Sequence, residues 1–280
     1  MRIIAVINQK GGVGKTVTAV NMGACLALHN RRVLIVDFDP QANSSLLLGR
    51  NTSLDEPSVY DVMAGNINPE EIIEETSTKN LFLMPSNLNL AEAEIDIVER
   101  PGREIILAEQ LISSIDRGSV IAGFDYIIID CSPSLSILTV NALMAAREIF
   151  IPMQMTYFAL KGADHLINIV ELVNEELEHP VSITGVIPTF FEKDPGDYEK
   201  VLEEVKELFG GAVFETVIHR STAYDKAAAA QKTVFEIMPE SDASWDYRNL
   251  TQEVIKMEQE EEGDRGEKKG FLSSLFKKTY

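Results

Sequence analysis

The chain is 280 residues long, enough to bury a substantial core, either as one large α/β domain or as two small ones. A formal net charge of −19 removes any global attraction to nucleic acid or anionic lipid, so such binding needs a local basic patch. Two cysteines far apart, Cys25 and Cys131, argue against a disulfide framework or an iron–sulfur site and read as buried, reduced thiols of a cytosolic protein.

RIIAVI (2–7) reads as a first strand rather than a signal peptide, and a helical pattern follows over 15–29. Further β-rich runs lie at 32–37, 80–85, 126–130, 148–153, 182–189 and 213–218. Helical patterns fill the gaps at 87–98, 103–115, 134–146, 162–177 and 198–209. Several strands are apolar on both faces, as parallel strands covered by helices require. The alternation predicts an α/β fold with a doubly wound, mostly parallel sheet flanked by helices, whose ligands bind at the carboxyl ends of the strands. No window holds 18 uninterrupted apolar residues, so no membrane span is expected. After about residue 250 the character changes. Residues 256–268 read as a charged flexible linker and 269–280 as a short apolar tail, which leaves 1–255 as the main domain.

Between the first strand and the first helix stands QKGGVGKT, Gln9 to Thr16. Glycines there let the backbone N–H groups of Gly11, Gly12, Val13 and Gly14 turn inward around phosphates, and the helix N-terminus adds its positive dipole end. Lys15 reaches the β- and γ-phosphates, and the Thr16 hydroxyl is a ligand for Mg²⁺. The usual G-x-x-x-x-G-K-[ST] pattern is not met, because Gln9 stands where its first glycine belongs. A second lysine, Lys10, precedes the glycines instead. Asp37 and Asp39 end the second strand, two apart and so on one side of it, and Asp130 ends the strand with three isoleucines. Carboxylates at that edge suit a hard cation such as Mg²⁺.

This deviant loop resembles that of the ParA/MinD superfamily of P-loop ATPases. DFDPQAN (37–43), YIIIDCSPSLSILTVNAL (126–143), VIPTFF (186–191) and VFETVIHRS (213–221) extend the resemblance over roughly 1–255, with DPQ favouring the Soj-like partition branch. The resemblance implies a slow, partner-stimulated ATPase using ATP and Mg²⁺. It also implies a homodimer formed on ATP binding, in which Lys10 contacts the phosphates of the other subunit. Lys10, Lys15, Asp39 and Asp130 then form the catalytic set. Asp39 positions the attacking water and the metal, Asp130 holds Mg²⁺ through a water, and Asp37 supports the metal shell or caps the following helix. Val17, among the nucleotide-binding residues, stands where relatives often carry threonine and lacks the hydroxyl that could touch the α-phosphate; Pro188 and Thr189 are expected near the adenine. A ParB-like or other activating partner is implied, and the cargo is chromosomal, plasmid-borne or another cellular structure. A MinD-like site-positioning ATPase on the membrane is one alternative, and a metabolic ATP-dependent synthetase on the same fold is another.

Two surfaces compete for such a dimer. Arg220, Lys226, Lys232 and Arg248 are the candidates for nonspecific contact with nucleoid DNA. The six basic and seven acidic residues from Gln252 onward net −1, which leaves −18 on the rest and opposes that contact. In the tail, Phe271, Leu272, Leu275 and Phe276 fall on one face of a short helix with lysines at its ends. That pattern is similar to the membrane-targeting helix of MinD and predicts peripheral attachment to anionic lipid.

Overall fold

A computed structural model describes residues 1–191 and 195–276, without the side chains of Phe158, Phe191, 195–197 and 261–276. The first half runs β1 (Arg2–Val6), α1 (Lys15–Leu28), β2 (Val33–Phe38), α2 (Asn43–Leu47), α3 (Val59–Ala64), β3 (Glu74–Glu75), β4 (Leu81–Met84), α4 (Leu90–Asp96), α5 (Ile106–Asp116) and β5 (Tyr126–Cys131). There follow α6 (Ile137–Ala145), β6 (Glu148–Gln154), α7 (Tyr157–Glu176), β7 (Ser182–Phe191), α8 (Pro195–Phe209), β8 (Ile218–His219), α9 (Thr222–Ala229), α10 (Val234–Ile237) and α11 (Asp242–Phe276).

The strands form one sheet in the order β3-β4-β2-β5-β1-β6-β7-β8, parallel except for the short β3 against β4. Every residue of β2 and β5 is buried, which is why VLIVDF and YIIIDC are nearly continuous apolar runs. One face of the sheet packs against α3 to α8 through residues such as Val62, Leu107, Leu138 and Leu166. The other packs against α1, α2 and α9 to α11 through Met22, Leu47, Ala227 and Tyr247. From β1 the chain winds to one side, into β2 and β4; from β5 it winds to the other, into β6, β7 and β8. The direction therefore reverses around β1, and the crevice at its carboxyl end is where such a sheet binds a ligand.

The expected strand over 213–218 is largely absent. Only Ile218–His219 pairs with β7, and Val213 makes one isolated bridge to Val186. The Glu253 carboxylate accepts the N–H groups of Glu215 and Thr216 at 2.9 Å each, which takes those donors out of the ladder. Helix α7 starts at Tyr157 rather than 162, because the Thr156 hydroxyl accepts the Ala159 N–H and caps it. α11 continues through 256–268, where composition predicts a flexible linker; the Lys256–Glu260 pair, at i and i+4, suits a helix. Its middle is anchored by Glu258, which pairs with Arg31 at 2.9 Å and accepts the Tyr126 hydroxyl at 3.1 Å.

Candidate nucleotide site

The loop between β1 and α1 is shaped by glycine. Gly12 and Gly14 have φ of 72° and 92°, and at Gly14 a Cβ would lie 2.9 Å from the Phe190 ring. Only glycine fits there without strain. Side chains from the neighbouring strands pin the loop. The Thr189 hydroxyl donates to the Val13 carbonyl at 2.8 Å, Asn8 donates to the Pro152 carbonyl at 2.8 Å, and Gln154 lies 3.4 Å from the Gly12 carbonyl. Beside the loop opens a cavity of about 720 Å³, lined by Gly11 to Val17 except Val13, by Asp39, Gln41, Asn43, Leu46 and Leu47, and on the far side by Pro133, Phe190, Ala228 and Gln231.

The two loop lysines are placed differently. Lys15 is buried in the cavity wall, with its ammonium 3.3 Å from the Lys10 carbonyl. Burial pulls its pKa down, while the negative charges of Asp130 and Asp39 hold it up. Lys10 is exposed, lies outside the cavity lining and donates to Gln154 at 2.9 Å.

Three carboxylates meet behind the loop. Asp37 and Asp130 are register partners on β2 and β5, both fully buried, and Asp39 follows just past the end of β2. Asp37 accepts the N–H of Ser45 at 2.7 Å and its hydroxyl at 2.6 Å, so it fastens the first turn of α2. Burial first, and then the charge of Asp130, push its pKa up to about 8. Asp39 accepts the Gln41 N–H at 2.9 Å, and its own carbonyl accepts the Ser86 hydroxyl at 2.9 Å. Asp130 accepts the Ser44 hydroxyl on Oδ2 at 2.8 Å. Its other oxygen, Oδ1, is buried and makes no hydrogen bond among the described residues. Burial raises its pKa to about 6, with Ser44, Thr16 and Lys15 opposing the rise.

An unpaired oxygen on a buried carboxylate, next to a threonine hydroxyl and a buried ammonium, is a costly arrangement for a purely structural site. It fits a hydrated cation that arrives with phosphates. Among the described residues no three His, Cys, Asp or Glu side chains are grouped so as to hold a metal ion.

Residues 1–183 match the family model AAA_31, an AAA domain. The chain is 41% identical over 253 residues, 90% of its length, to the sporulation initiation inhibitor protein Soj of Bacillus subtilis, covering 98% of that protein. The chromosome-partitioning ATPase Soj of Treponema pallidum is 36% identical, with 91% of this chain and 97% of that one covered. The chain belongs to the Soj-like branch of the ParA/MinD superfamily of ATPases. Among solved structures, a Mycobacterium smegmatis protein described as cobyrinic acid a,c-diamide synthase, with bound ATP analogue and magnesium, is 30% identical. Its TM-score is 0.78, with 92% of this chain and 96% of that one covered.

In this Soj-like chain Lys15, Thr16 and Asp39 line one cavity, while Asp130 lies fully buried outside its lining. The residues expected at the adenine sit less directly: Thr189 is buried and turned to the loop backbone, and Pro188 pairs in register with Met153 inside the sheet. The basic residues are scattered among other contacts. Lys232 pairs with Glu236 at 3.8 Å, the Arg248 guanidinium lies 5.3 Å from the Phe235 ring centre and 5.5 Å from that of Trp245, and Arg220 lies 5.8 Å from that of Phe190. Lys226 is exposed on α9. The side chains of Phe271, Leu272, Leu275 and Phe276 lie outside the described residues, and among the described ones no helix is long and apolar enough to cross a membrane. Cys25 and Cys131 are both buried free thiols.

Sequence reasoning missed Ser44, Ser45, Phe190 and Gln231. For the serines a signal was present: two adjacent hydroxyl residues directly after DPQAN, where a short helix must start. Phe190 and Gln231 carried none, because both reach the cavity from distant parts of the chain with φ near +54° and +53°.

Proposed function

We propose that the chain is an ATP-hydrolysing dimerisation switch that partitions or positions a cellular cargo. The relatives named Soj support this cargo class, and the contrast between the two loop lysines carries the reading. Lys15 is committed to the cavity, whereas Lys10 stands exposed at the loop's start with its ammonium outside it. A second protomer placed face to face would receive Lys10 on its own phosphates. Lys15 is the sole cation lining the cavity among the described residues, so one protomer alone neutralises little of a triphosphate's charge. Lys10 from a partner offsets that charge, and the attraction lapses when the terminal phosphate leaves.

Within one protomer the residues divide the remaining work. Amides of Gly11 to Thr16 cradle the phosphates, and Val17 and Phe190 lie beside them. Asp39, held by the Gln41 amide, orients the water that attacks the γ-phosphorus. Thr16 would hold Mg²⁺ directly, with Asp130 and Asp39 behind its waters; when bound, the ion spreads and neutralises phosphate charge. Hydrolysis by the protein alone is slow and rises with an activating ParB-like partner. We place the switch in the cytoplasm, acting on nucleoid DNA through Arg220, Lys226, Lys232 and Arg248 or on an anionic membrane through the tail at 269–280.

ATP turnover measured alone, with DNA and with anionic vesicles tests the reading. Stimulation by either surface and slow basal turnover are expected. A rate that depends instead on a small carboxylic acid and an ammonia donor would support the amide-forming reading suggested by the M. smegmatis protein's description, and would overturn this one.

A further inference from the structure

We propose that Ser44 is a positioning residue that fixes the metal-holding carboxylate Asp130 and carries occupancy of the metal site into α2. The inference rests on the reading of the cavity as a Mg²⁺–nucleotide site. Ser44 and Ser45 are consecutive, both fully buried, and each grips a different buried carboxylate. Ser45 and Asp37 form a closed structural lock: the serine donates its N–H and its hydroxyl to one carboxylate oxygen and accepts the Ser86 N–H at 3.0 Å. No side-chain oxygen of that lock is left without a hydrogen-bond partner.

Ser44 is different. Its hydroxyl engages Oδ2 of Asp130 and leaves Oδ1 buried without a partner. A hydrogen bond to Oδ2 restrains the carboxylate's rotation, so it biases which oxygen a metal ion bound beside Thr16 would meet. It also ties Asp130, on the rigid central strand β5, to the first turn of α2. That turn follows Ala42, whose φ of 53° is a left-handed backbone conformation that alanine adopts at a cost. The same short helix sends Leu46 and Leu47 into the cavity wall. A cation held beside Asp130 would thus act on the Ser44 bond, and residues 39–47 would feel it through one hydroxyl.

Hydrogen–deuterium exchange on the full chain tests this, with ADP in EDTA compared with ADP and Mg²⁺. In the wild type, ADP alone protects the loop peptide (11–17), and adding Mg²⁺ brings extra protection to 43–49. Ser44→Ala should keep the ADP protection of the loop and lose the Mg²⁺ increment at 43–49. It should also cut the factor by which Mg²⁺ tightens ADP binding by roughly tenfold, the scale of one hydrogen bond to a charged group. Ser44→Thr, which keeps the hydroxyl, should restore both. Ser44→Cys, close in volume and a poor donor, should behave like alanine and guards against a loss caused by the smaller side chain. An unchanged Mg²⁺ increment in Ser44→Ala or Ser44→Cys overturns the role of Ser44. Absence of loop protection by ADP in the wild type overturns the nucleotide reading instead, so the two failures are separable.

Discussion

The strand-end cluster and the C-terminal face behind it use charge in opposite ways. At the ends of β2 and β5, carboxylates are buried completely and held by paired hydroxyls and amides, at the expense of desolvation and one orphaned oxygen. Along β8 to α11, charged groups are mostly exposed and spent on local partners, such as Lys232 on Glu236 and Arg248 on two aromatic rings. The first arrangement is rigid before any ligand arrives, which suits phosphate chemistry. The second is an exposed, salt-screened surface on a chain of strong negative charge.

The contrast breaks most visibly at Lys15. Lys15→Ala removes the only cation that lines the cavity among the described residues, and titration calorimetry should show ADP affinity falling by on the order of 100-fold; a loss under threefold would show that the phosphates bind elsewhere. Next comes Gly14→Ala, which asks for a Cβ at positive φ and 2.9 Å from Phe190. It should cost about 1–3 kcal/mol of stability and weaken ADP binding with it, both read from thermal melts with and without nucleotide.

The buried carboxylates make the apo protein pH-sensitive in a definite direction. Asp37 and Asp130 hold pKa values of about 8 and about 6, above the ordinary 3.8, chiefly through burial. Raised values mean that the folded state keeps its protons longer. This contribution to stability is complete below about pH 4 and is lost as pH rises through 6 and then 8. In EDTA, Asp37→Asn should flatten the fall in Tm between pH 6 and 8.5 and raise Tm at pH 8.5 by on the order of 5 °C; a parallel, unshifted curve would show Asp37 already ionised at neutral pH.

The smallest effects belong to the surface. Arg248→Ala should cost about 0.5–1 kcal/mol through its lost ring stacking, and Lys226→Ala less than about 0.5 kcal/mol. Neither should alter ADP affinity. If Lys226→Ala did so, the two regions would not be separate.

The difference between the regions also explains what could be read from the chain. The loop, DPQ and the carboxyl-ended strands are legible because each function sits within a few consecutive residues and depends on backbone geometry that glycine and strand ends announce. Strands β1, β2 and β5 were equally plain, since a parallel strand buried on both faces must be apolar throughout. The segment 213–218 misled because its β-branched residues suit a strand, while a glutamate some forty positions later on α11 takes its amides. Phe190 and Gln231 reach the cavity only through the tertiary fold, and no local pattern marks them. The short helices α2, α9 and α10 have too few turns to display a periodicity.

The claim on which the account turns is that ATP draws two protomers together and hydrolysis parts them. Light scattering behind a sizing column, on the Asp39→Ala protein with Mg²⁺–ATP, Mg²⁺–ADP and no nucleotide, reads it directly. Twice the monomer mass is expected with ATP alone, and a return to monomer when Lys10→Ala is added. A single mass under all three conditions would contradict it.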